Sequence, residues 1–498
     1  MMRRRKASHM KFLLLVYFLW MNSVEASPKI NRLYLSAPQV NEGVQLPPDQ
    51  WFEQKLDHFD PTNKKTWLQR YGVNDSFAKV VREAPVFLKI GGEGEGTPKW
   101  LVKGAWIDYA KKFGALCFQL EHRYYGKSRP TADMSVENLR YLSSEQALAD
   151  LAYFIKGMNK KYNLNDNNKW IAFGGSYPGS LAAWLRYKYP HLVHAAISTS
   201  APLLAIADFK KFNEVVKKSL GTFSEDCVAS VKSATKHFDK LVQHPIGGKL
   251  ISKKFELCQP LNVSKKEDIS NLARSLSGIF AVIVQYNKDT GISADPTAKI
   301  TIDDLCKIMI DRSLGEPLDR YAAVNSMIRK VKSEKCLDYI YSASIQELSN
   351  ITWPESFAAA DRQWFYQTCT EFGFYQTSSS DAELFGSNFP LDFFIKRCKD
   401  AFGERFNGEL LDLGIQRTNT IYGDFHLSVS RVLFVHGSID PWHALGITSS
   451  KNPEAPAIYI LGTAHCANTY PQSPQDPPQL VKARLRIYDH IGKWLLRN

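Results

Sequence analysis

A short glycine-rich segment near the middle of the chain constrains its fold more than any other feature. Residues 173–179 read FGGSYPG. They follow an apolar run, 170–173, that is typical of a buried strand, and they lead into a run, 178–189, that predicts a helix ending before Pro190. A serine in so tight a strand-to-helix turn holds its hydroxyl clear of the sheet. The segment therefore predicts a helix-covered sheet with Ser176 as a nucleophile at a strand end.

The motif departs from the Gly-x-Ser-x-Gly pattern in one place, because Pro178 occupies the second glycine position. Proline is nevertheless favourable in the first turn of a helix. The backbone amide that would donate to an oxyanion belongs to Tyr177, which keeps its N–H. On the motif alone, a glycine-rich turn that only packs remains an alternative.

Short apolar runs alternate with longer amphipathic ones on both sides of this turn, which is the pattern of a mostly parallel sheet covered by helices. The expected strands are 85–90, 115–120, 170–173, 195–198, 431–435 and 457–461, and the expected helices include 143–161, 178–189 and 480–496. Between residues 202 and 430 helical periodicity, as at 269–286, replaces the alternation. We therefore predict an α/β-hydrolase core in two parts, 27–201 and 431–498, with a helical lid or second domain inserted at 202–430.

An acid and a base follow Ser176 in the chain order that such a core requires. Asp440 comes after the first returning strand and a glycine turn, and His465 comes after the next strand. A carboxylate that orients an imidazole, which in turn deprotonates a serine, is the arrangement that makes serine nucleophilic. His443 and His490 are weaker candidates for the base, because one is too close to Asp440 in sequence and the other lies in the terminal helix.

A second glycine-rich turn follows the expected strand 85–90, where residues 91–94 read GGEG. An oxyanion hole needs a second backbone amide from an earlier loop, and we expect it from Gly92 or Glu93. A plain tight turn and a phosphate-binding loop are the alternatives. No P-loop lysine pattern follows the turn to support the second of these.

The N-terminus carries a basic cluster and then the apolar run 12–21. That run is too short to cross a bilayer as a helix, but it matches the core of a signal peptide at 1–26. We expect cleavage after Ala26, transfer into the secretory pathway and no stable membrane insertion, with a signal anchor as the rival interpretation. Three glycosylation sequons agree with secretion. Their asparagines are Asn74, Asn262 and Asn350.

Cysteine usage also points to an oxidising compartment. Six of the 8 cysteines fall between residues 227 and 398, a grouping that predicts disulfide staples and by itself allows fifteen pairings. These six are Cys227, Cys258, Cys306, Cys336, Cys369 and Cys398. No close Cys-x-x-Cys pair occurs, so no zinc site is expected. Cys117 and Cys466 are expected to be free thiols.

Composition narrows the class of protein. The chain is 44% hydrophobic and 23% charged, which is ordinary for a globular protein and argues against disorder and a polytopic membrane protein. The formal net charge is +13, or +9 without residues 1–26, and no basic cluster with interleaved aromatic residues follows the signal. Nucleic acid is therefore not an expected partner, and no cofactor or metal is predicted.

Five short motifs together carry a resemblance to a known family. They are EHRYYG at 121–126, GGSYPG at 174–179, TCTEF at 368–372, DPW at 440–442 and AHC at 464–466. In this combination the chain resembles the serine peptidase family of lysosomal Pro-Xaa carboxypeptidase, dipeptidyl peptidase II and thymus-specific serine protease, and most of all the thymus-specific branch. The resemblance runs from about residue 51 to the C-terminus.

The resemblance implies an α/β-hydrolase core, a helical domain over the site, and a triad of Ser176, Asp440 and His465. It also implies three disulfide bonds that leave Cys117 and Cys466 unpaired. These bonds are Cys227–Cys306, Cys258–Cys336 and Cys369–Cys398. A homodimer is suggested by family analogy only.

The substrate pocket is where the resemblance is weakest. Trp442 matches the tryptophan of the proline pocket, whereas Ser180 and Phe374 stand where the carboxypeptidase has methionines. These three residues still allow an aromatic, apolar pocket for proline or a small apolar residue, with core packing of Trp442 and Phe374 as the alternative.

An exopeptidase must also bind a charged chain end. Glu93, Glu121 and Glu371 are candidates for a free N-terminus, and Arg123 is a candidate for a free C-terminus. We favour a simpler role for two of them, in which Arg123 and Glu121 form an internal ion pair that supports the sheet.

The sequence thus predicts a secreted or endolysosomal serine exopeptidase that cleaves short peptides through an acyl-enzyme, after proline or a small apolar residue. An esterase or lipase on the same core is one alternative. A catalytically silent hydrolase fold used for binding is another, and the presence of all three triad residues argues against it.

Overall fold

The computed structural model describes residues 37–288, 299–356, 360–379 and 384–496, so the expected signal peptide at 1–26 lies outside the described residues. The described strands are β1 (Gln50–Lys55), β2 (Thr66–Asn74), β3 (Val86–Ile90), β4 (Leu116–Leu120), β5 (Trp170–Gly175), β6 (Ala195–Thr199), β7 (Ile206–Asp208), β8 (Gly373–Tyr375), β9 (Val432–Gly437) and β10 (Ala457–Ile460). Eight of them form one sheet in the order β1-β2-β4-β3-β5-β6-β9-β10. The first two strands are antiparallel to their neighbours, and the strands from β4 to β10 in that order are parallel.

Helices cover both faces of this sheet. The described α-helices are α1 (Ala105–Phe113), α2 (Val136–Leu139), α3 (Ser144–Lys161), α4 (Tyr177–Lys188), α5 (Lys211–Gly221), α6 (Glu225–Leu241), α7 (Pro245–Lys254), α8 (Lys266–Gln285), α9 (Ile302–Ile310), α10 (Pro317–Val331), α11 (Tyr341–Ser349), α12 (Asp361–Gln367), α13 (Leu391–Phe402), α14 (Gly408–Tyr422) and α15 (Pro478–Leu496). Parallel strands wrapped by helices in this chain order confirm the predicted α/β-hydrolase fold.

The strands are apolar throughout because both faces of the sheet are buried. In β4, Phe118 points into the cluster that contains α3 and α4, while its neighbour Cys117 points into the cluster that contains α1 and α15. The predicted strands and core helices all form, with ends shifted by a residue or two. After Ser176, helix α4 begins at Tyr177, one residue earlier than predicted. Pro178 is therefore its second residue rather than its first.

Helices α5 to α14 occupy the chain between β7 and β9, as the helical periodicity predicts. Three disulfide bonds lie within this segment, and they pair the cysteines in the way that the family resemblance implies. They are Cys227–Cys306, Cys258–Cys336 and Cys369–Cys398. Cys117 and Cys466 are buried free thiols. The parallel pairing of β7 with β8 was not predicted, since it joins two three-residue strands far apart in sequence.

Arg123 and Glu121 are both buried, but they do not form the ion pair with each other that we favoured from the sequence. Arg123 donates to both carboxylate oxygens of Asp150 at 2.6 Å. Glu121 accepts from Arg70 at 3.4 Å and from Ser128 at 2.7 Å. Both residues follow the end of β4 (Leu116–Leu120), where the regular alternation of a strand no longer determines which way a side chain points.

Arg123→Met should destabilise the core strongly, because it removes the guanidinium that pairs with the buried Asp150 carboxylate and leaves only the His58 ring beside it. We expect a loss of about 3–5 kcal/mol in the free energy of unfolding. Urea denaturation followed by tryptophan fluorescence would measure it.

Lys396→Met is the matched control, because it removes the cation of the solvent-exposed Lys396–Asp400 pair on α13. This change should cost less than about 1 kcal/mol. An Arg123→Met/Asp150→Leu double variant should recover part of the lost free energy of unfolding, since it also removes the buried Asp150 carboxylate. An Arg123→Met protein as stable as the Lys396→Met protein would contradict the proposed role of the pair.

Candidate active site

The backbone of Ser176 adopts a left-handed conformation, with φ 67° and ψ −137°, at the junction of β5 and α4. Its N–H donates to the Thr199 carbonyl at 2.9 Å, which fixes the turn to the end of β6. A Cβ on Gly174 would lie 1.9 Å from the Pro178 oxygen, and one on Gly179 would lie 2.5 Å from the Thr199 oxygen. Both glycines are therefore required for these close backbone approaches.

Asp440 and His465 lie at the ends of β9 and β10 and face each other. The His465 Nδ1 is 2.9 Å from the Asp440 Oδ1, and both side chains are almost completely buried. The two atoms are within ion-pair distance. This contact through Nδ1 leaves Nε2 of His465 as the atom available for proton transfer.

Burial and charge act in opposite directions on the pKa values of Asp440 and His465. Burial disfavours the imidazolium of His465, but the charge of Asp440, the neighbouring Cys466 thiol and hydrogen bonding to both together outweigh burial and hold the pKa of His465 well above its usual value. Burial likewise disfavours the Asp440 carboxylate, but the charge of His465 and hydrogen bonding, which includes the Trp442 N–H, keep the pKa of Asp440 low. The pair can thus orient an imidazole and stabilise its cationic form.

The loop that carries His465 packs on the nucleophile turn. A Cβ on Gly175 would lie 3.0 Å from the Cys466 Sγ, and the Cys466 N–H donates to the Ser200 hydroxyl at 2.9 Å. The Glu93 carboxyl interacts with both the Ser176 hydroxyl and His465. The structure therefore brings the three residues predicted as a triad to one edge of the sheet.

The two predicted oxyanion donors also lie at this edge. The Tyr177 amide is in the first turn of α4, where an N–H has no intrahelical acceptor. A Cβ on Gly92 would lie 2.3 Å from the Pro178 side chain, so the loop after β3 runs directly against the start of α4. Glu93 is buried there, with 3% of its surface exposed.

Comparison with known proteins assigns the family. The model of the serine carboxypeptidase S28 family matches residues 54–487. The thymus-specific serine protease of Mus musculus is 36% identical over 460 residues, covering 90% of this chain and 88% of that protein. The lysosomal Pro-X carboxypeptidase of Homo sapiens is 28% identical over 457 residues, covering 89% of this chain and 88% of that protein. The chain belongs to the S28 family of serine peptidases. The resemblance predicted from the motifs is confirmed, and the protein is a serine peptidase.

The residues predicted to line the substrate pocket of this S28 peptidase do not all share one environment. The Trp442 ring centre lies 5.5 Å from that of Phe374, and the rings of Phe209 and Phe212 lie at 5.6 and 5.7 Å. Ser180 is fully buried in α4, and its hydroxyl donates to the Pro202 carbonyl at 2.8 Å. The aromatic residues form one cluster, whereas the Ser180 hydroxyl is used inside the fold.

Sequence reasoning missed the contribution of Gln285, the last residue of α8. Its main-chain oxygen accepts from the His465 N–H at 2.9 Å, and its side-chain oxygen accepts from the Trp442 indole at 3.0 Å. The neighbouring Tyr286 ring contacts the His465 ring edge-on at 5.9 Å. No sequence signal links residue 285 to the base, because the helix reaches the site only through the tertiary fold.

Most of the remaining candidates have structural partners. Glu371 accepts from the N–H and the hydroxyl of Ser144, and Glu121 and Arg123 are engaged as described above. His443 contacts the main-chain oxygen of Asp440 rather than its carboxylate, and His490 packs on Trp494. Among the residues that the structure describes, no cluster of three or more His, Cys, Asp or Glu is arranged to hold a metal ion.

Asp440→Asn should slow modification of Ser176 by an active-serine phosphonate probe by about 10³-fold or more, because the amide no longer stabilises the imidazolium. Ser176→Ala should abolish the modification. Asp424→Asn is the matched control, since Asp424 forms an exposed contact with His426 at 2.7 Å. Rates measured by intact mass, on variants with wild-type circular dichroism, would test this. A rate for Asp440→Asn within tenfold of wild type would contradict the assignment.

Proposed function

We propose that this S28 peptidase is an exopeptidase of short peptides that uses Ser176 as nucleophile, His465 as base and Asp440 as the orienting acid. His465 takes the Ser176 proton, an acyl-enzyme forms as the leaving amine departs, and water releases the acid product. The Tyr177 amide, with Gly92 or Glu93 as the second donor, stabilises the oxyanion. The observation that carries the proposal is the left-handed Ser176 turn beside the buried Asp440–His465 pair.

The aromatic cluster around Trp442 supports a preference for proline or a small apolar residue next to the scissile bond. Flat apolar rings match the pyrrolidine ring in shape and polarity, and Trp442 lies only two residues from Asp440. The inserted segment 202–430, which we treat as a lid domain between core parts 27–201 and 431–498, supports action on chain ends. The main-chain oxygen of Gln285 accepts from the His465 N–H, so the end of helix α8 contacts the loop that carries the base.

The protein's covalent chemistry supports a proposal for its location. The disulfide bonds are typical of proteins that fold in an oxidising compartment, and we propose a secreted or endolysosomal enzyme. None of the described helices combines the length and the apolar character that crossing a membrane requires. Asn262 and Asn350 are exposed, and Asn74 is half-buried with its amide donating to the Leu101 carbonyl. Glycosylation at all three, and a homodimer, stay predictions.

Secreted wild-type protein should cleave a mixed peptide library, and Ser176→Ala should not. Product masses, measured from acidic to neutral pH, would identify the terminus attacked and the residue before the cut. We expect at least a tenfold preference for proline or a small apolar residue over charged residues at that position. Peptides blocked at either end would show which charged terminus is required.

Two outcomes would overturn the proposal. Cleavage of simple esters with no cleavage of any peptide would favour an esterase. A folded wild-type protein that neither cleaves peptides nor reacts with an active-serine probe would favour a binding protein.

A further inference from the structure

The Glu93 side chain is a buried carboxyl that faces the reacting atoms. Its carboxyl group interacts with the Ser176 hydroxyl and with the charge of His465. Only 3% of the residue is exposed. The oxyanion mechanism uses only main-chain amides of this loop, so the side chain has no role in the proposal above.

The two glycines before Glu93 bring it to this position. The Gly91 N–H donates to the Leu120 carbonyl, and a Cβ on Gly91 would lie 2.6 Å from that oxygen. A Cβ on Gly92 would overlap the Pro178 ring. The loop therefore passes between β4 and the nucleophile turn, and residue 93 is delivered beside Ser176.

Glu93 differs from the other acidic residues of this region in its partners. Glu95 and Glu121 both pair with Arg70, at 2.9 and 3.4 Å. Within the described residues, Glu93 has no lysine or arginine partner, and the one cation that acts on it is His465, which is shared with Asp440. A buried carboxyl whose one neighbouring cation is already paired with another carboxylate is favoured in its neutral, proton-donating form.

We infer that Glu93 is a catalytic residue of this S28 peptidase, which in its neutral form donates a hydrogen bond to the oxyanion formed when Ser176 attacks the substrate. The inference rests on the proposed function. When Glu93 is ionised, its carboxylate accepts the Ser176 hydroxyl instead and opposes the negative charge of the oxyanion.

The step balances without any further reactant. The Ser176 oxygen forms a bond to the substrate carbonyl carbon as its proton passes to His465, and the π electrons of the carbonyl move onto its oxygen. The Glu93 proton stays on its own carboxyl while it is hydrogen-bonded to that oxygen. When the carbonyl re-forms, the bond to the leaving amine breaks and the amine takes the proton from His465.

The titratable groups that face Glu93 determine the pH dependence. They are His465, which interacts in turn with Asp440 and Cys466, and Tyr125 from the loop after β4. Burial raises the pKa of Glu93 to about 7, with His465 and Ser176 acting against burial. Glu93 and His465 share a proton, so their pKa values belong to the pair. Activity should fall at acidic pH when His465 keeps its proton and at alkaline pH when Glu93 loses its own.

The test is the pH profile of kcat/KM for wild type, Glu93→Gln and Glu93→Ala on one peptide. Wild type should give a bell-shaped profile. Glu93→Gln keeps a donor that cannot ionise, so its profile should lose the alkaline limb and stay within about tenfold of wild type at the optimum. Glu93→Ala should lose about 10²–10³-fold at the optimum, as expected for loss of an oxyanion donor.

Glu95→Gln is the matched control, because it changes the same functional group two residues away and should keep the wild-type profile. An alkaline limb that persists in Glu93→Gln would overturn the inference. Loss of activity confined to peptides with a free N-terminus, with N-blocked peptides unaffected, would also overturn it and would make Glu93 an anchor for the α-ammonium group. If wild type neither cleaves peptides nor labels at Ser176, it is the proposed function that fails.

Discussion

The left-handed backbone of Ser176 is the constraint on which the rest of the site depends. A non-glycine residue in a sparsely populated conformation costs about 1–3 kcal/mol and persists only when its surroundings hold it there. Here β5 and α4 are buried on either side, and the Ser176 N–H is bonded to the end of β6. Gly174 and Gly179 permit the necessary contacts. The Ser176 hydroxyl is held clear of the sheet because the packed core prevents this backbone from relaxing to a more favoured conformation.

The parallel sheet then determines which residues meet the serine. Strands β5, β6, β9 and β10 are neighbours and run in one direction, so their carboxyl ends lie at one edge. Asp440 and His465 need only follow β9 and β10 to arrive beside Ser176. Burial strengthens their interaction, because charges attract more strongly where water is excluded. The same burial raises the pKa of Glu93 and of Glu121 to about 7, from an ordinary value of 4.5. Between those two values the folded state binds more protons than the unfolded state, so these groups stabilise the fold at acidic pH and lose that effect as pH rises.

Features of the fold and of the candidate site that depend on local pattern and chain order could be predicted from the sequence. The Ser176 turn is marked by a strand, glycines and a helix within a few residues, and Asp440 and His465 are marked by the strands before them. Contacts between segments that are far apart in the sequence have no such local signature. The Arg123–Asp150 pair could not be chosen over Arg123–Glu121, because burial of the arginine by α3 is a property of the assembled core. Gln285 was missed for the same reason, since helical periodicity reports which face is buried but not against what.

The link through Gln285 also explains why the inserted helices and the core act as one unit at the site. One residue at the end of α8 accepts from the His465 main chain through its carbonyl and from the Trp442 indole through its side chain. The orientation of His465, the proposed base, and the position of Trp442 are thus both tied to the same helix. Because buried N–H groups need acceptors, moving α8 away would leave both donors unsatisfied. The geometry of the proposed site is therefore complete only when the end of α8 is in place against the core.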